Sequence, residues 1–214
     1  MADKIKISEM TVATDAQVTA TAAVAAVVGG DSKSATAEQI LMVQSLTRTR
    51  WKDLKFPLTR DKQGNTQKPD YDYTNMGLKF PKDDATEIAY FITQMDHSYK
   101  QGTDLYPHIH FVQSDDVAYG WKIDYRWYDN NGDPTVAFAT LALDTYQYVY
   151  ATGDILQIAY SATAIDGSGI TSLSSMLDIK LYRDDNLGAA TVLGKEFDLH
   201  YESDSLGSAS EWVK

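Results

Sequence analysis

The 214-residue sequence contains no cysteine. This absence excludes disulfide bonds, metal centres with thiolate ligands and cysteine nucleophiles. The sequence also lacks any run of 18 apolar residues, so no transmembrane helix is predicted and we expect no membrane insertion. The opening MADKIKISEM lacks the apolar core of a signal peptide, and we therefore expect a protein that is made and used without export.

Trp, Tyr and Phe are absent from residues 1–50, although they make up 11% of the whole chain. A segment without aromatic side chains has little apolar surface to pack on itself. Ala and Thr dominate residues 11–26, and Thr36 begins a sequence typical of a short capped helix over residues 36–46. We predict an extended N-terminal arm of residues 1–50 that docks on another protein, followed by a β-sandwich domain of residues 51–214.

The net charge of −11 comes entirely from the C-terminal half. Residues 1–50 hold five basic and five acidic side chains, and residues 51–102 hold eight of each. Residues 103–214 hold six basic and seventeen acidic ones. Because an acidic surface repels phosphates, we expect no nucleic acid partner. The simplest interpretation of the excess acid is that it keeps a strand-rich domain soluble.

Strand signals dominate the second half of the chain. The segment AYGWKIDYRWY, residues 118–128, alternates apolar and polar side chains with the period of a half-buried strand. Further strands are predicted over residues 86–95, 108–112, 145–150, 155–162, 176–182 and 197–201. The predicted fold is mainly β, an antiparallel β-sandwich with a jelly roll as the best single architecture. Outside the arm, a helix is considered only around residues 167–175.

Motifs for catalysis are incomplete, so the protein is predicted not to be an enzyme. No pair of carboxylates stands out as the acid and nucleophile of a glycosidase, since most aspartates occupy turn-like contexts. The serines of residues 172–175 and 203–210 lack the strand–turn–helix context of a nucleophile elbow. Gly29 and Gly30 are not followed by the residues of a phosphate-binding loop.

His108 and His110 are the best candidate metal ligands. They form a His-x-His pair in a predicted strand, so both side chains point to one face, where two neutral imidazoles could share a transition metal. A cupin-type site would need a Glu soon after the pair, but the first downstream Glu is Glu196, so that pattern fails. The alternative is two strand histidines hydrogen-bonded on a polar face.

The metal hypothesis has a symmetric form. Three chains around an axis next to His108 and His110 would supply six imidazole nitrogens to one octahedral ion, which would tie the chains together. The same pair also leaves open a metal-dependent enzyme of jelly-roll type. No other cofactor is expected.

Tyr146, Tyr148 and Tyr150 alternate along a predicted strand. They could stack on sugars from an exposed face. They could equally line a core or a subunit interface, which is the preferred interpretation.

Short motifs in the arm suggest what it attaches to. In chain order they are KISEM (residues 6–10), VVGG (27–30), KSAT (33–36) and AEQI (37–40). Together they resemble the opening of many tailed-phage fibre and adaptor proteins, from which the chain departs at Met10 and in the absence of a proline after it. The resemblance implies that residues 1–50 attach the protein to a virion.

A second set of motifs covers most of residues 50–210. They are RWKDL (50–54), MDHSYK (95–100), PHIHF (107–111), DIKLYR (178–183), FDLHY (197–201) and DSLG (204–207). This part of the chain is similar to a family of uncharacterised phage structural proteins. The resemblance implies a role in virion structure and assigns no catalytic residue.

We therefore expect a structural protein of a phage virion, made in the host cytoplasm, with a tail or neck fibre or a related appendage as the first choice. It would contact other virion proteins through residues 1–50. It would also form a homo-oligomer, for which a trimer is favoured because appendages share the threefold symmetry of fibres. The alternatives are a capsid decoration protein and a carbohydrate-binding module that recognises a host glycan.

Overall fold

The computed structural model describes residues 50–58, 68–82, 84–147, 154–185 and 187–204. These residues contain eleven β-strands and no helix, and so none that could cross a membrane. The strands are β1 (Arg50–Pro57), β2 (Asp70–Asp72), β3 (Gly77–Pro81), β4 (Ala89–Gln94), β5 (Leu105–Gln113), β6 (Trp121–Tyr128), β7 (Ala139–Leu143), β8 (Thr145–Tyr146), β9 (Ile155–Tyr160), β10 (Met176–Arg183) and β11 (Thr191–Ser203).

The strands form two antiparallel sheets. The seven-stranded sheet has the order β2-β3-β11-β5-β9-β8, and β1 pairs with β11 beside that path. The four-stranded sheet has the order β4-β10-β6-β7. Because β11 lies between β3 and β5, and β10 lies between β4 and β6, the centre of each sheet depends on pairing between distant parts of the chain.

An aromatic core joins the two sheets. The ring centroid of Trp121 in the four-stranded sheet lies 5.0 Å from that of Phe80 and 5.4 Å from that of Phe111 in the seven-stranded sheet. Phe91 and Phe197 stack across the same space, with their centroids 5.7 Å apart. Full burial of such a side chain contributes about 1.5–3 kcal/mol, so this interface between the sheets is the main source of stability.

These strands confirm the prediction of a mainly β fold with antiparallel sheets. The alternation predicted for β6 is also observed, because Trp121 and Ile123 are fully buried whereas Lys122 binds the exposed carboxylate of Asp184. The predicted arm, with its helix, lies outside the described residues apart from Arg50.

The helix considered around residues 167–175 is wrong. This segment forms turns, in which the Ile170 N–H donates to the Gly167 carbonyl at 2.9 Å. The Gly167 N–H donates to the side chain of Asp104 at 3.1 Å, so this backbone group forms a hydrogen bond with a neighbouring loop and not within a helix.

Candidate functional site

The face of the seven-stranded sheet that points away from the core carries histidines and carboxylates. Side chains alternate along a strand. In β5, Ile109 and Phe111 are fully buried in the core, which leaves His108 and His110 together on the opposite, outer face. The two candidate metal ligands therefore share one face, as their spacing predicts.

Strand β11 places a carboxylate beside both histidines. The antiparallel register sets Asp198 directly opposite His108. His108 Nε2 contacts Asp198 Oδ1, and His110 Nε2 lies 3.6 Å from Asp198 Oδ2. One ligand atom from each of the three residues lies within 4.8 Å of the other two, so a single ion could contact all three.

The Asp198 carboxylate is held in its ionised form. Burial, at 2% exposure, would by itself raise its pKa. The polar contacts and charges of His108 and His110 outweigh this effect and lower the pKa of Asp198 to about 2. In return, the hydrogen bond and negative charge of Asp198 raise the pKa of His110 against the opposing effect of burial.

Further charged residues surround this cluster. The ring of His200 lies 4.4 Å from that of His108, but its Nε2 is 3.1 Å from Asp53 Oδ1 of β1. Lys55, also of β1, lies 3.4 Å from Glu196 Oε1.

These charges do not balance. Among the described residues that line the site, three carboxylates (Asp53, Glu196 and Asp198) face one lysine, Lys55. With neutral imidazoles the site therefore carries an excess of negative charge, which attracts a cation.

The cluster lies in an open groove of about 1060 Å³ with aromatic rings along it. Trp51 and Tyr106 pack edge to face with their centroids 5.3 Å apart, and they are 54% and 42% exposed. Tyr160 of β9, 38% exposed, lines the groove beyond β5. A concave site that combines apolar rings with a few convergent polar groups is the usual form of a small-ligand site.

Asp198 and His200 were not predicted as site residues from the sequence. A carboxylate that completes the His-x-His pair was sought shortly after it, whereas Asp198 comes from β11, near the other end of the chain. The available signal was the motif FDLHY, in which Asp198 and His200 repeat the two-residue spacing of His108 and His110. Two polar pairs with that spacing on two strands mark one polar face if the strands are neighbours.

Other candidates have structural roles. Asp72, Asp133 and Asp166 each accept the backbone N–H of the residue two positions later, as expected for aspartates that cap turns. The Tyr146 hydroxyl donates to the Tyr119 carbonyl and its ring packs against the core, which confirms the core interpretation for this tyrosine. Tyr148 and Tyr150 lie outside the described residues.

Comparison with known proteins shows only distant structural similarity. No family model and no curated sequence matches the chain. Dimeric latent PorU from Porphyromonas gingivalis has a TM-score of 0.37 and 8% identity over 74% of this chain and 13% of its own. The VP2 subviral particle of infectious bursal disease virus has a TM-score of 0.36 and 14% identity over 74% of this chain and 34% of its own. The chain thus spans a minor part of each, and similarity this weak carries no inference about function.

Proposed function

We propose that the protein is a structural component of a phage virion, which docks through residues 1–50 and assembles through its β domain. The observation that carries the proposal is where the phage-like motifs lie in the fold. PHIHF (107–111) belongs to β5 and FDLHY (197–201) to β11, and these two strands pair at the centre of the seven-stranded sheet. DIKLYR (178–183) belongs to β10, at the centre of the other sheet. The motifs therefore lie in strands at the centre of the sheets, which supports the proposal that the resemblance reflects a shared fold.

The strand order supports a jelly roll. Eight strands, β3, β4, β5, β6, β7, β9, β10 and β11, divide between the sheets as β3-β11-β5-β9 and β4-β10-β6-β7. The first strand of this set pairs with the last, and the second pairs with the second to last, which is how a jelly roll closes two Greek keys around one core. Viral capsid and lectin domains use this architecture, as do cupins, so it fits a virion protein without specifying one.

An appendage assembled from several copies is the form that we favour, with three chains around one axis. Each sheet has exposed apolar side chains, such as Ile92 of β4, which is 71% exposed, and Leu156 of β9, which is 59% exposed. An assembly around one axis would cover such side chains of one sheet. A tail or neck fibre attached through the arm is our first choice, and a capsid decoration protein is the alternative.

Purified particles provide the test. Mass spectrometry of gradient-purified virions from a phage that encodes the chain should detect its peptides at a constant ratio to the major capsid protein. Full-length protein supplied during infection should join the particles, whereas a folded protein of residues 51–214 should not. Absence of the chain from the particles would overturn the proposal, and incorporation of the shortened protein would overturn the role of the arm.

The groove favours glycan recognition as a second candidate function. Exposed Trp51, Tyr106 and Tyr160 beside carboxylates and imidazoles offer flat apolar rings next to hydrogen-bonding groups, which suits a sugar. Glycan-array binding should be lost on Tyr160→Ala and kept on Tyr90→Ala. These two tyrosines are matched at 38% exposure, but Tyr90 lies in the other sheet. Absence of binding by the full-length protein would remove this candidate.

A further inference from the structure

The geometry points to a metal site built from the residues of one chain: we propose that His108, His110 and Asp198 bind a divalent first-row transition-metal ion, one per chain. The ligand set of two imidazoles and one carboxylate, without sulfur, suits Zn²⁺, Co²⁺, Ni²⁺ or Fe²⁺. This inference does not depend on the virion role, since it concerns the isolated protein.

The distances fit such an ion. With metal–ligand bonds of about 2.0–2.1 Å, the donors around a tetrahedral ion lie about 3.3 Å apart. His110 Nε2 and Asp198 Oδ2 are already 3.6 Å apart, and the three donors lie within 4.8 Å of one another. Side-chain rotations that move His108 Nε2 away from Asp198 Oδ1 would then place all three donors at bonding distance from one ion.

The hydrogen bonding of Asp198 is incomplete. Its Oδ1 is buried and accepts no hydrogen bond of good geometry from the described residues, although His108 Nε2 lies against it. A buried carboxylate oxygen normally has such a partner. A metal ion would give this oxygen the partner that it lacks.

The charge around Asp198 also favours a cation. Its only ion-pair partners among the described residues are the two imidazoles. The lysine of the groove, Lys55, lies instead against Glu196 and Asp53, at 3.4 and 4.0 Å. Protonated imidazoles stabilise the Asp198 carboxylate, and once they are neutral a divalent ion bound by the same imidazoles can take over that role.

The other residues of the groove are not expected to bind the ion. The ring of His200 packs at a tilt against that of His108, but its Nε2 lies 3.1 Å from Asp53 Oδ1, and His200 is not one of the three close donors. The remaining coordination positions of the ion would face the open groove. Because the donors come from one chain, the site requires no symmetry axis.

Metal binding by the full-length, tag-free protein tests the inference. After treatment with a chelator, titration calorimetry with Zn²⁺ should give one ion per chain, and Co²⁺ should give a visible absorption spectrum typical of imidazole coordination. His108→Ala and Asp198→Asn should weaken Zn²⁺ binding about 100-fold or more, because loss of outer contacts alone costs about 10–100-fold. His97→Ala, which removes a histidine outside the groove, should bind Zn²⁺ as the natural protein does.

Several results would overturn the inference. They are absence of Zn²⁺ and Co²⁺ binding, unchanged affinity in both ligand variants, and a stoichiometry of one ion per three chains. Since His108 is buried and its variant could unfold, X-ray absorption of the Zn²⁺-loaded natural protein provides an independent measurement. It should show scattering from two imidazoles, and a spectrum without imidazole scattering would also contradict the assignment.

Discussion

Two buried charged clusters in this protein differ in how completely they are satisfied. At the end of β10, the fully buried guanidinium of Arg183 binds both carboxylate oxygens of Asp185, at 2.7 and 2.8 Å. It also donates to the carbonyls of Leu187 and Ala189, and Asp185 accepts the backbone N–H of Gly120 at 2.6 Å. The two opposite charges of Arg183 and Asp185 therefore pair with each other, and both groups also form hydrogen bonds to the backbone.

Among the described residues, no lysine or arginine pairs with the buried acid of the groove. The side chain of Asp198 is buried, as is that of Asp185, but its ion-pair partners in this part of the chain are two imidazoles. The comparison shows that a buried charge by itself does not indicate a functional site. What distinguishes the groove is a shortage of positive charge and of hydrogen-bond donors around a buried acid, because that shortage can be met by a ligand.

The largest loss of stability is expected at the Arg183–Asp185 pair. Arg183→Met leaves Asp185 buried without its cation and removes the donors to two carbonyl groups, so the free energy of unfolding should fall by about 3–5 kcal/mol. Urea denaturation followed by tryptophan fluorescence measures it.

The matched control is Lys122→Met. It removes a cation from the exposed pair with Asp184, at 2.6 Å, and should cost less than about 1 kcal/mol. If Arg183→Met and Lys122→Met had equal effects, burial would not be what makes the Arg183 pair important.

The Arg183–Asp185 pair should also make the free energy of unfolding depend on pH in the acid range. Burial opposes ionisation of Asp185, but hydrogen bonds from Arg183, Gly120 and Leu187 outweigh it and lower its pKa below the ordinary value of 3.8. A lowered folded-state pKa stabilises the protein above 3.8, and this stabilisation is lost as the pH falls through the folded-state pKa.

Asp185→Asn therefore isolates this contribution. The variant should be about 2 kcal/mol less stable than the natural protein at pH 7, and the difference should shrink as the pH falls below 3.8. Denaturation at pH 7, 5 and 3 measures the difference. A gap that stays constant over this range would show that Asp185 does not contribute through its charge.

Much of the fold could be predicted because several strands carry clear local patterns. β6 and β10 alternate apolar and polar residues, and each was predicted to within a few residues. β1, β2, β3 and β7 were not predicted as strands. The segment ATLAL of β7 consists mainly of Ala and Leu, which favour a helix as much as a strand, and β2 has only three residues.

The first half of β11 was missed because a glycine interrupts its pattern. The pairing of β11 with β5 shifts register between Gly194 and Glu196. A Cβ at Gly194 would lie 2.6 Å from Leu58 Cδ1 and 2.9 Å from Phe80 Cε2, so a larger residue would have to displace these two buried side chains. Glycine in a strand pattern indicates a turn as readily as such a contact, and sequence alone does not distinguish them.

Of the three residues of the candidate metal site, only the two histidines could be predicted from the sequence. His108 and His110 are two residues apart, so strand geometry alone places them on one face. Asp198 joins them only because β11 pairs with β5, and no local pattern specifies which distant strands become neighbours.

The cluster of His108, His110 and Asp198 should lose less stability than the Arg183–Asp185 pair when its charge is removed without metal. In Asp198→Asn the amide keeps the shape of the carboxylate, but the stabilisation that goes with its lowered pKa is lost, so metal-free stability at pH 7 should fall by about 2 kcal/mol. Added Zn²⁺ should raise the melting temperature of the natural protein and leave that of the variant unchanged. A loss as large as that of Arg183→Met would show instead that the groove cluster is a structural ion pair.

The smallest effect is expected from Glu196, the second carboxylate of β11 on the same face. It lies opposite His110 in the register and contacts Lys55 at 3.4 Å, but it does not belong to the group of three close donors. Glu196→Gln should leave the urea midpoint unchanged, since exposed ion pairs contribute little. It should weaken Zn²⁺ binding by less than about 10-fold, through the loss of a nearby negative charge and not of a ligand. Calorimetry on this variant beside Asp198→Asn separates the two roles: a loss equal to that of Asp198→Asn would place Glu196 among the ligands and contradict the three-residue site.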